Sequence, residues 1–236
     1  MEITRVTTPT AKYPLKCTNT MVPTRIVVHD TANDASAMAE VSYMLSNDNW
    51  TSFHFAVDDY RAVQGLPLNR NSWNAGDGSL GIGNRQGISI EVCYSKSGGA
   101  HYLKARENAA ELCAMLLKEY GWGINKVTKH QDYSGKVCPH RNISMGWSNF
   151  LLLVSKKLDI LNGKAPSAPA PAPEPPKIVV GSMVEITGAK YATGQTVPTW
   201  AKPGPHKVSQ IKGDQALLGN PGGIVSWVYL KDLKLK

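Results

Sequence analysis

The sequence predicts an α/β domain with a mixed central β-sheet flanked by helices, followed by a small all-β barrel at the C-terminal end. Three observations lead to this prediction. Apolar and β-branched runs alternate with helical stripes up to residue 163, and a segment rich in proline and alanine follows. The last 60 residues carry strand signals and many glycines but no helical stripe, which favours a small barrel.

Four strands are predicted in the N-terminal part. Residues 25–29 form an apolar run that predicts a buried strand, and residues 53–58 and 62–66 predict a pair of strands. Residues 87–94 alternate apolar and polar side chains, so a further strand with one apolar face is expected there. Interspersed with helices, these strands indicate a sheet covered by helical layers.

Three helices accompany the predicted strands. Apolar residues between positions 109 and 120 recur at helical spacing and end before Gly121, a typical helix terminator. The same spacing recurs between Trp147 and Leu161. A shorter helix is predicted over residues 35–46, with Asp34 as its N-cap.

The proline-rich segment separates two domains. Residues 164–176 alternate proline with small residues, which cannot build a core and prefer an extended conformation. The predicted organisation is therefore an α/β domain over 1–163, a spacer over 164–176 and a β-barrel domain over 177–236.

Composition limits the possible partners. The net charge is +8, and residues 177–236 carry 8 basic against 3 acidic side chains, so an anionic partner such as nucleic acid, a membrane surface or a bacterial wall is expected. The basic residues are spaced singly, which argues against a nucleic-acid footprint. No apolar run reaches 18 residues, so membrane insertion is not expected. The N-terminal residues lack a signal-peptide pattern, which predicts cytoplasmic synthesis and reduced cysteines.

Two distant segments carry side chains that could bind a metal. His29 ends an apolar strand, where side chains of parallel sheets emerge into a crevice. His130 and Cys138 are seven residues apart in a loop-like segment, and Pro139 stiffens the chain beside the thiol. Two imidazoles and a thiolate suit a catalytic zinc site with one open position. Spacing alone leaves a core histidine and an inert buried thiol as equal alternatives.

Five segments in order resemble one enzyme family. The matching residues are 26–32, 53–58, 73–78, 83–93 and 130–140. They are similar to the zinc N-acetylmuramoyl-L-alanine amidases of the phage-lysozyme and peptidoglycan-recognition-protein superfamily, especially endolysins and autolysins of Gram-positive bacteria and their phages. The resemblance implies zinc as cofactor, held by His29, His130 and Cys138.

The same resemblance implies two catalytic residues. Glu91 matches the acid beside the metal, which is expected to take a proton from the attacking water and pass it to the leaving amine. Lys136 matches a basic residue two positions before the third ligand and is expected to stabilise the oxyanion. A salt-bridged Glu91 and a solvated Lys136 are the structural alternatives. His140 is a spare candidate ligand.

Four further residues are expected to contact substrate: His54, Trp73, Asn74 and Arg85. The chain departs from many relatives at two places. Phe53 stands where a tyrosine is common, which removes a hydroxyl and leaves more of the proton transfer to Glu91. Asn74 replaces a histidine that could bind substrate. For His54, a core position is the alternative.

The C-terminal segment resembles bacterial wall-binding domains of the Src-homology-3-like type. Tyrosine and tryptophan side chains that could stack on glycan or peptide are Tyr191, Trp200, Trp227 and Tyr229. The alternative is that at least two of them fill the barrel core, with Trp227 the first candidate.

Together the resemblances predict a peptidoglycan hydrolase, most simply a phage endolysin, that cleaves the amide between N-acetylmuramic acid and L-alanine of the stem peptide. Bacterial peptidoglycan is then both substrate and anchor, and a holin-type membrane lesion is the expected route from the host cytoplasm to the wall. The alternatives are a non-catalytic peptidoglycan-recognition protein and a zinc endopeptidase of the stem peptide. Oligomeric state, host and cross-bridge preference stay open.

Overall fold

Six strands form one mixed sheet in the computed structural model, which describes residues 1–6, 8–164, 178–219 and 225–236. Their order across the sheet is β1-β4-β3-β5-β2-β6, and only the β3–β4 pair is antiparallel. The strands are β1 (Glu2–Arg5), β2 (Arg25–Asp30), β3 (Phe55–Val57), β4 (Arg61–Gln64), β5 (Gly87–Val92) and β6 (Val127–Lys129). The predicted mixed central sheet is therefore confirmed.

The two edge strands are the ones that the sequence did not reveal. β1 has four residues and β6 has three, and each joins the sheet on one side only. Such short strands give no readable pattern, whereas the central strands β2 and β5 each have six residues, with an apolar run in β2 and an alternation of apolar and polar side chains in β5.

Helices cover both faces of the sheet. They are α1 (Tyr13–Lys16), α2 (Ala37–Ser46), α3 (Ile82–Gln86), α4 (Gly99–Tyr120), α5 (Gln131–Ser134), α6 (His140–Ser144) and α7 (Trp147–Leu161). On one face α4 and α7 pack together over Ile26, Ile88 and Ile90, and on the other α2 packs its Val41 and Met44 against β3 and β4. The predicted flanking layers are present.

The start of α2 differs from the prediction. The helix begins at Ala37 and its N-cap is Ser36, whose hydroxyl accepts a hydrogen bond from the Ala39 N–H. Asp34 accepts instead from the backbone N–H and the hydroxyl of Ser97. Sequence alone could not decide between Asp34 and Ser36, because aspartate and serine side chains both accept hydrogen bonds from nearby backbone N–H groups and both favour the N-cap position.

The C-terminal residues form a separate five-stranded antiparallel sheet, as expected for an all-β segment. The order is β10-β9-β8-β7-β11, from β7 (Met183–Ile186), β8 (His206–Lys212), β9 (Gln215–Gly219), β10 (Val225–Tyr229) and β11 (Leu233–Leu235). Val184, Val208, Leu218 and Val228 form its core. Gly213 has φ +59° in the two-residue turn between β8 and β9, a backbone conformation that favours glycine.

The chain divides into two compact units, Met1–Ser167 and Ala168–Lys236. Residues 165–176 of the predicted spacer, and residues 177 and 220–224 of the predicted β-barrel domain, lie outside the described residues. In the part of the chain that the structure describes, no helix is long and apolar enough to cross a membrane. The four cysteines are free thiols.

Candidate functional site

The site lies where three parallel strands end. β2 pairs with β5 on one side, with His29 opposite Glu91, and with β6 on the other side. His130 follows β6 directly, and its backbone N–H donates to the Val28 carbonyl (3.2 Å). Because all three strands run in one direction, their carboxyl ends bring these side chains to one edge of the sheet.

A short loop returns Cys138 to the two histidines. α5 ends at Ser134, and the next residue, Gly135, has a φ of +74° that reverses the chain. The Gln131 N–H then donates to the Cys138 carbonyl (3.0 Å), which closes the loop. Cys138 is buried, with 5% of its surface exposed.

His29, His130 and Cys138 form a group that could hold one metal ion. Their ligand atoms lie within 4.8 Å of one another, and the two Nδ1 atoms are 3.0 Å apart. Tetrahedral zinc, with Zn–N bonds of about 2.0–2.1 Å, needs two ligand nitrogens roughly 3.4 Å apart. Three protein ligands of this chemistry would leave one coordination position open. The residues present therefore fit zinc.

The protonation of the cluster also suits a cation. Burial, aided by the charge of Lys136, lowers the pKa of both His29 and His130, so both imidazoles stay in the neutral form that binds metals. Burial raises the pKa of the Cys138 thiol to about 12. A thiolate at this position needs a positive partner, which a divalent ion would provide.

Glu91 stands beside the cluster as a buried carboxyl. Its Oε1 lies 4.0 Å from the Nδ1 of His29. Burial raises the pKa of Glu91 to about 7, although a hydrogen bond from Asn74 opposes the shift. A carboxyl with a pKa near neutrality can both accept and donate a proton at the pH of a cell.

Asn74 orients Glu91. Its Nδ2 donates both to the Glu91 Oε1 (3.0 Å) and to the Ser89 hydroxyl (2.6 Å). Its own backbone N–H donates to the Asn84 Oδ1 (3.1 Å), and Asp77 accepts from the Asn84 N–H (3.1 Å). The sequence did not mark Ser89, Asp77 or Asn84 as supports, because polar residues in loops carry no signal of their partners.

The other residues expected at the site have different surroundings. Lys136 is exposed and lines the cleft, and Trp73 also lines it. The buried Nε1 of Trp73 has no hydrogen-bond partner among the described residues. Arg85 lies at the end of α3, outside the set of residues that line the cleft, and its Nη1 donates to the Ser79 carbonyl (3.4 Å).

His54 lies inside the fold rather than in the cleft. It is fully buried, its Nε2 donates to the Arg70 carbonyl (2.8 Å), and its Nδ1 accepts from the Ser89 N–H (3.0 Å). Both ring nitrogens are thus used by the backbone, so the structure favours the core alternative over substrate contact.

His140 has partners away from the metal group. Its Nε2 lies 3.1 Å from the Ser95 carbonyl, and its Nδ1 lies 3.5 Å from the Asp30 carboxylate. Asp30 also accepts from the Arg141 N–H (2.8 Å) and from the Tyr102 hydroxyl (3.1 Å). These bonds fix the chain on both sides of the cluster, since Asp30 follows His29 and Arg141 follows the Cys138 loop.

The four aromatic candidates of the C-terminal unit are unequally exposed. Trp200 has 74% of its surface exposed, and Trp227 is half-buried on the strand face opposite the core residue Val228. Tyr191 packs partly against the core and, with Tyr229, lines a pocket of about 380 Å³. Trp227 is therefore outside the core, against the alternative that favoured it as core filler.

Comparison with known proteins gives a consistent result. The family model described as N-acetylmuramoyl-L-alanine amidase matches residues 19–141. N-acetylmuramoyl-L-alanine amidase XlyB of Bacillus subtilis is 57% identical over 150 residues, which cover 63% of this chain and 47% of that protein. N-acetylmuramoyl-L-alanine amidase CwlA of Bacillus subtilis is 53% identical over 161 residues, covering 68% and 59%. The chain thus spans about half the length of these curated relatives.

Solved structures match about two thirds of the chain. The structure of PlyL is 46% identical, with a TM-score of 0.64, and the match covers 71% of this chain and all of that one. The solution structure of the PlyG catalytic domain is 51% identical, also with a TM-score of 0.64, covering 67% and 96%.

Proposed function

The chain belongs to the N-acetylmuramoyl-L-alanine amidase family, and on that premise we propose that it is a zinc-dependent peptidoglycan hydrolase of the endolysin type. The bond cleaved is the amide between N-acetylmuramic acid and the L-alanine of the stem peptide. The observation that carries the proposal is the buried group of His29, His130 and Cys138 with Glu91 beside it.

His29, His130 and Cys138 would hold the zinc. When bound, zinc supplies a Lewis acid that polarises an amide carbonyl and makes water acidic enough to attack near neutral pH. The three ligands come from two separate segments, and the backbone bond from His130 to Val28 fixes one segment to the other. A catalytic site requires such rigidity, because small displacements of the reacting groups lower the reaction rate.

Glu91 would transfer protons. Its carboxyl accepts a proton from the attacking water and returns it to the nitrogen of the departing L-alanine, so that the leaving group is a neutral amine. Asn74 keeps one carboxylate oxygen in place with a hydrogen bond of 3.0 Å. Lys136, whose charge reaches the cluster, would stabilise the negative oxygen that develops as water adds to the carbonyl.

The test is digestion of purified bacterial walls, with and without a zinc chelator. An amidase releases new amines that are the N-termini of L-alanine, leaves the glycan strands intact, and loses this activity when chelated. Mass spectrometry of the fragments separates the alternatives. Cleavage within the stem peptide would instead identify an endopeptidase, and the absence of chelator-sensitive amine release would identify a recognition protein that binds without cutting.

We assign the C-terminal unit to wall anchoring, as a Src-homology-3-like domain joined by the spacer over residues 164–176 to the catalytic domain over 1–163. Trp200, Trp227, Tyr191 and Tyr229 are its proposed contacts, and exposure of Trp200 and the pocket of Tyr191 and Tyr229 support this assignment. Peptidoglycan would then be substrate and anchor, reached through a holin-type lesion. Loss of wall binding after removal of residues 177–236 tests the anchor.

A further inference from the structure

One face of α2 continues the cleft away from the metal group. Glu40, Tyr43, Met44 and Asn47 are spaced three and four residues apart, so they share one side of the helix, and all four line the same cleft as His29 and Glu91. From Glu40 to Asn47, the residue that follows α2, the chain advances about 10 Å along the helix axis, at 1.5 Å per residue. The cleft, about 750 Å³ in volume, therefore has a wall that extends beyond the reacting bond.

The inner end of this wall carries an unused acceptor. Glu40 is 9% exposed, and although the Asn33 side chain donates a hydrogen bond to its carboxyl, the Oε1 atom has no hydrogen-bond partner in the described ranges of the chain. Its charge is close enough to contribute to the raised pKa of Glu91. A buried carboxylate oxygen without a partner is costly, so a donor from a ligand is expected to reach it.

The outer end of the wall is a loop held rigidly by lysines. The fully buried Lys16 donates through Nζ to the Asn47 side chain (2.9 Å), and to the carbonyls of Asn49 and Thr51 on either side of Trp50. Lys12 donates to the Asn47 carbonyl as well (3.2 Å). The loop is therefore fixed, although it leaves the Trp50 ring exposed.

Two aromatic rings are exposed on this fixed wall. Tyr43 and Trp50 each have 63% of their surface exposed, and both line the cleft. A single exposed ring is ordinary on a protein surface, but two exposed rings that line the same cleft as the candidate reacting groups form an apolar surface that a ligand in the cleft can contact. The rings and the Glu40 acceptor together combine a stacking surface with a hydrogen-bond acceptor.

We propose that this wall, formed by Glu40, Tyr43, Met44, Asn47 and Trp50, is a subsite for the glycan strand next to the muramic acid whose amide is cleaved. The proposal rests on the proposed function. A sugar ring presents C–H faces to aromatic side chains and hydroxyl and acetamido N–H donors to a carboxylate. The stem peptide fits less well, because it carries carboxylates and no basic side chain of this wall lines the cleft: Lys12 and Lys16 are bonded to the loop.

The experiment compares two soluble substrates with the same stem peptide, one on a single muramic acid and one on a tetrasaccharide strand. The full-length protein should show a higher kcat/KM on the longer glycan. Since one aromatic contact contributes about 1 kcal/mol, Trp50→Ala should reduce the long-to-short ratio about fivefold to tenfold. Tyr60→Ala is the matched control, because Tyr60 is 71% exposed and is not among the residues that line the cleft. Its ratio should equal that of the unmodified protein.

Calorimetry with a peptide-free β-1,4-linked N-acetylglucosamine tetrasaccharide separates this proposal from the proposed function. Binding that Trp50→Ala weakens and Tyr60→Ala leaves intact supports the subsite even if no amide is cleaved. An equal loss of kcat/KM on both substrates would show that Trp50 contacts the reacting unit or the peptide, and would overturn the glycan assignment. An unchanged ratio together with unchanged tetrasaccharide binding in Trp50→Ala would also overturn it.

Discussion

The two units place their candidate functional residues in opposite surroundings. In the N-terminal unit, His29 is 2% exposed and Glu91 is 9% exposed, at the ends of strands in a sheet covered on both faces. In the C-terminal unit, Trp200 is 74% exposed beside a small antiparallel sheet. Proton transfer and metal binding need low dielectric and fixed geometry, whereas holding a polymer surface needs accessible side chains. The difference is the one that the proposed roles require, with chemistry in the first unit and adhesion in the second.

The largest effect is expected from the metal group. Cys138→Ser replaces the thiol by a weak ligand, so zinc should be lost and wall lysis should fall to background. Metal analysis of the purified protein and a chelator titration of its thermal unfolding would measure this. Chelator should lower the Tm of the unmodified protein and leave that of Cys138→Ser unchanged. If the chelator changes neither the Tm nor the activity of the unmodified protein, the zinc assignment is contradicted.

Glu91→Gln tests whether the buried Glu91 carboxyl transfers protons or only packs against its neighbours. The amide has the same shape but cannot accept a proton, so kcat should fall by about 10² to 10⁴ while zinc stays bound. Glu119→Gln, at an exposed position of α4, is the control and should keep full activity. Near-full activity of Glu91→Gln would mean that another group moves the proton.

His54 is expected to make the stability of the N-terminal unit depend on pH. Burial lowers the pKa of this imidazole from its ordinary value of 6.5 to about 4. The unfolded chain therefore binds the proton more readily, and stability should fall as pH falls from 6.5 to 4, by about 3 kcal/mol for this group. Urea unfolding of His54→Gln should show a shallower decline over that range than the unmodified protein. An identical slope would exclude His54 as a cause.

The smallest effect is expected in the C-terminal unit. Trp200→Ala should weaken association with purified walls by a few fold, because one exposed ring contributes about 1 kcal/mol, and it should change unfolding stability by less than about 0.5 kcal/mol. Val225→Ala, equally 74% exposed, is the control. Co-sedimentation with walls measures the difference, and equal binding of the two variants would remove Trp200 from the anchor.

The sequence predicted the parts of the site that have a pattern of their own. The apolar run before His29 and the segment from His130 to Cys138 were readable, and their side chains lie together in the structure. His54 was the reverse case. Alternation in the predicted strand over 53–58 puts it on the side opposite Phe53 and Phe55 but does not reveal that this side is also buried, and in the structure His54 precedes β3. Strand alternation assigns a side, and only packing determines what covers that side.

By itself, the sequence determined the fold class and the two folded parts, since these follow from local periodicity and composition. The metal-binding residues followed from the resemblance to a known family, because spacing alone left a core histidine and an inert thiol as equal alternatives. Only the tertiary structure decided that Asn74 holds Glu91, that His140 turns to Ser95, and that a face of α2 continues the cleft to Trp50. The physical reason is that hydrogen-bond partners and cleft walls depend on contacts between residues far apart in the chain. Such contacts leave no periodic signal in any single segment.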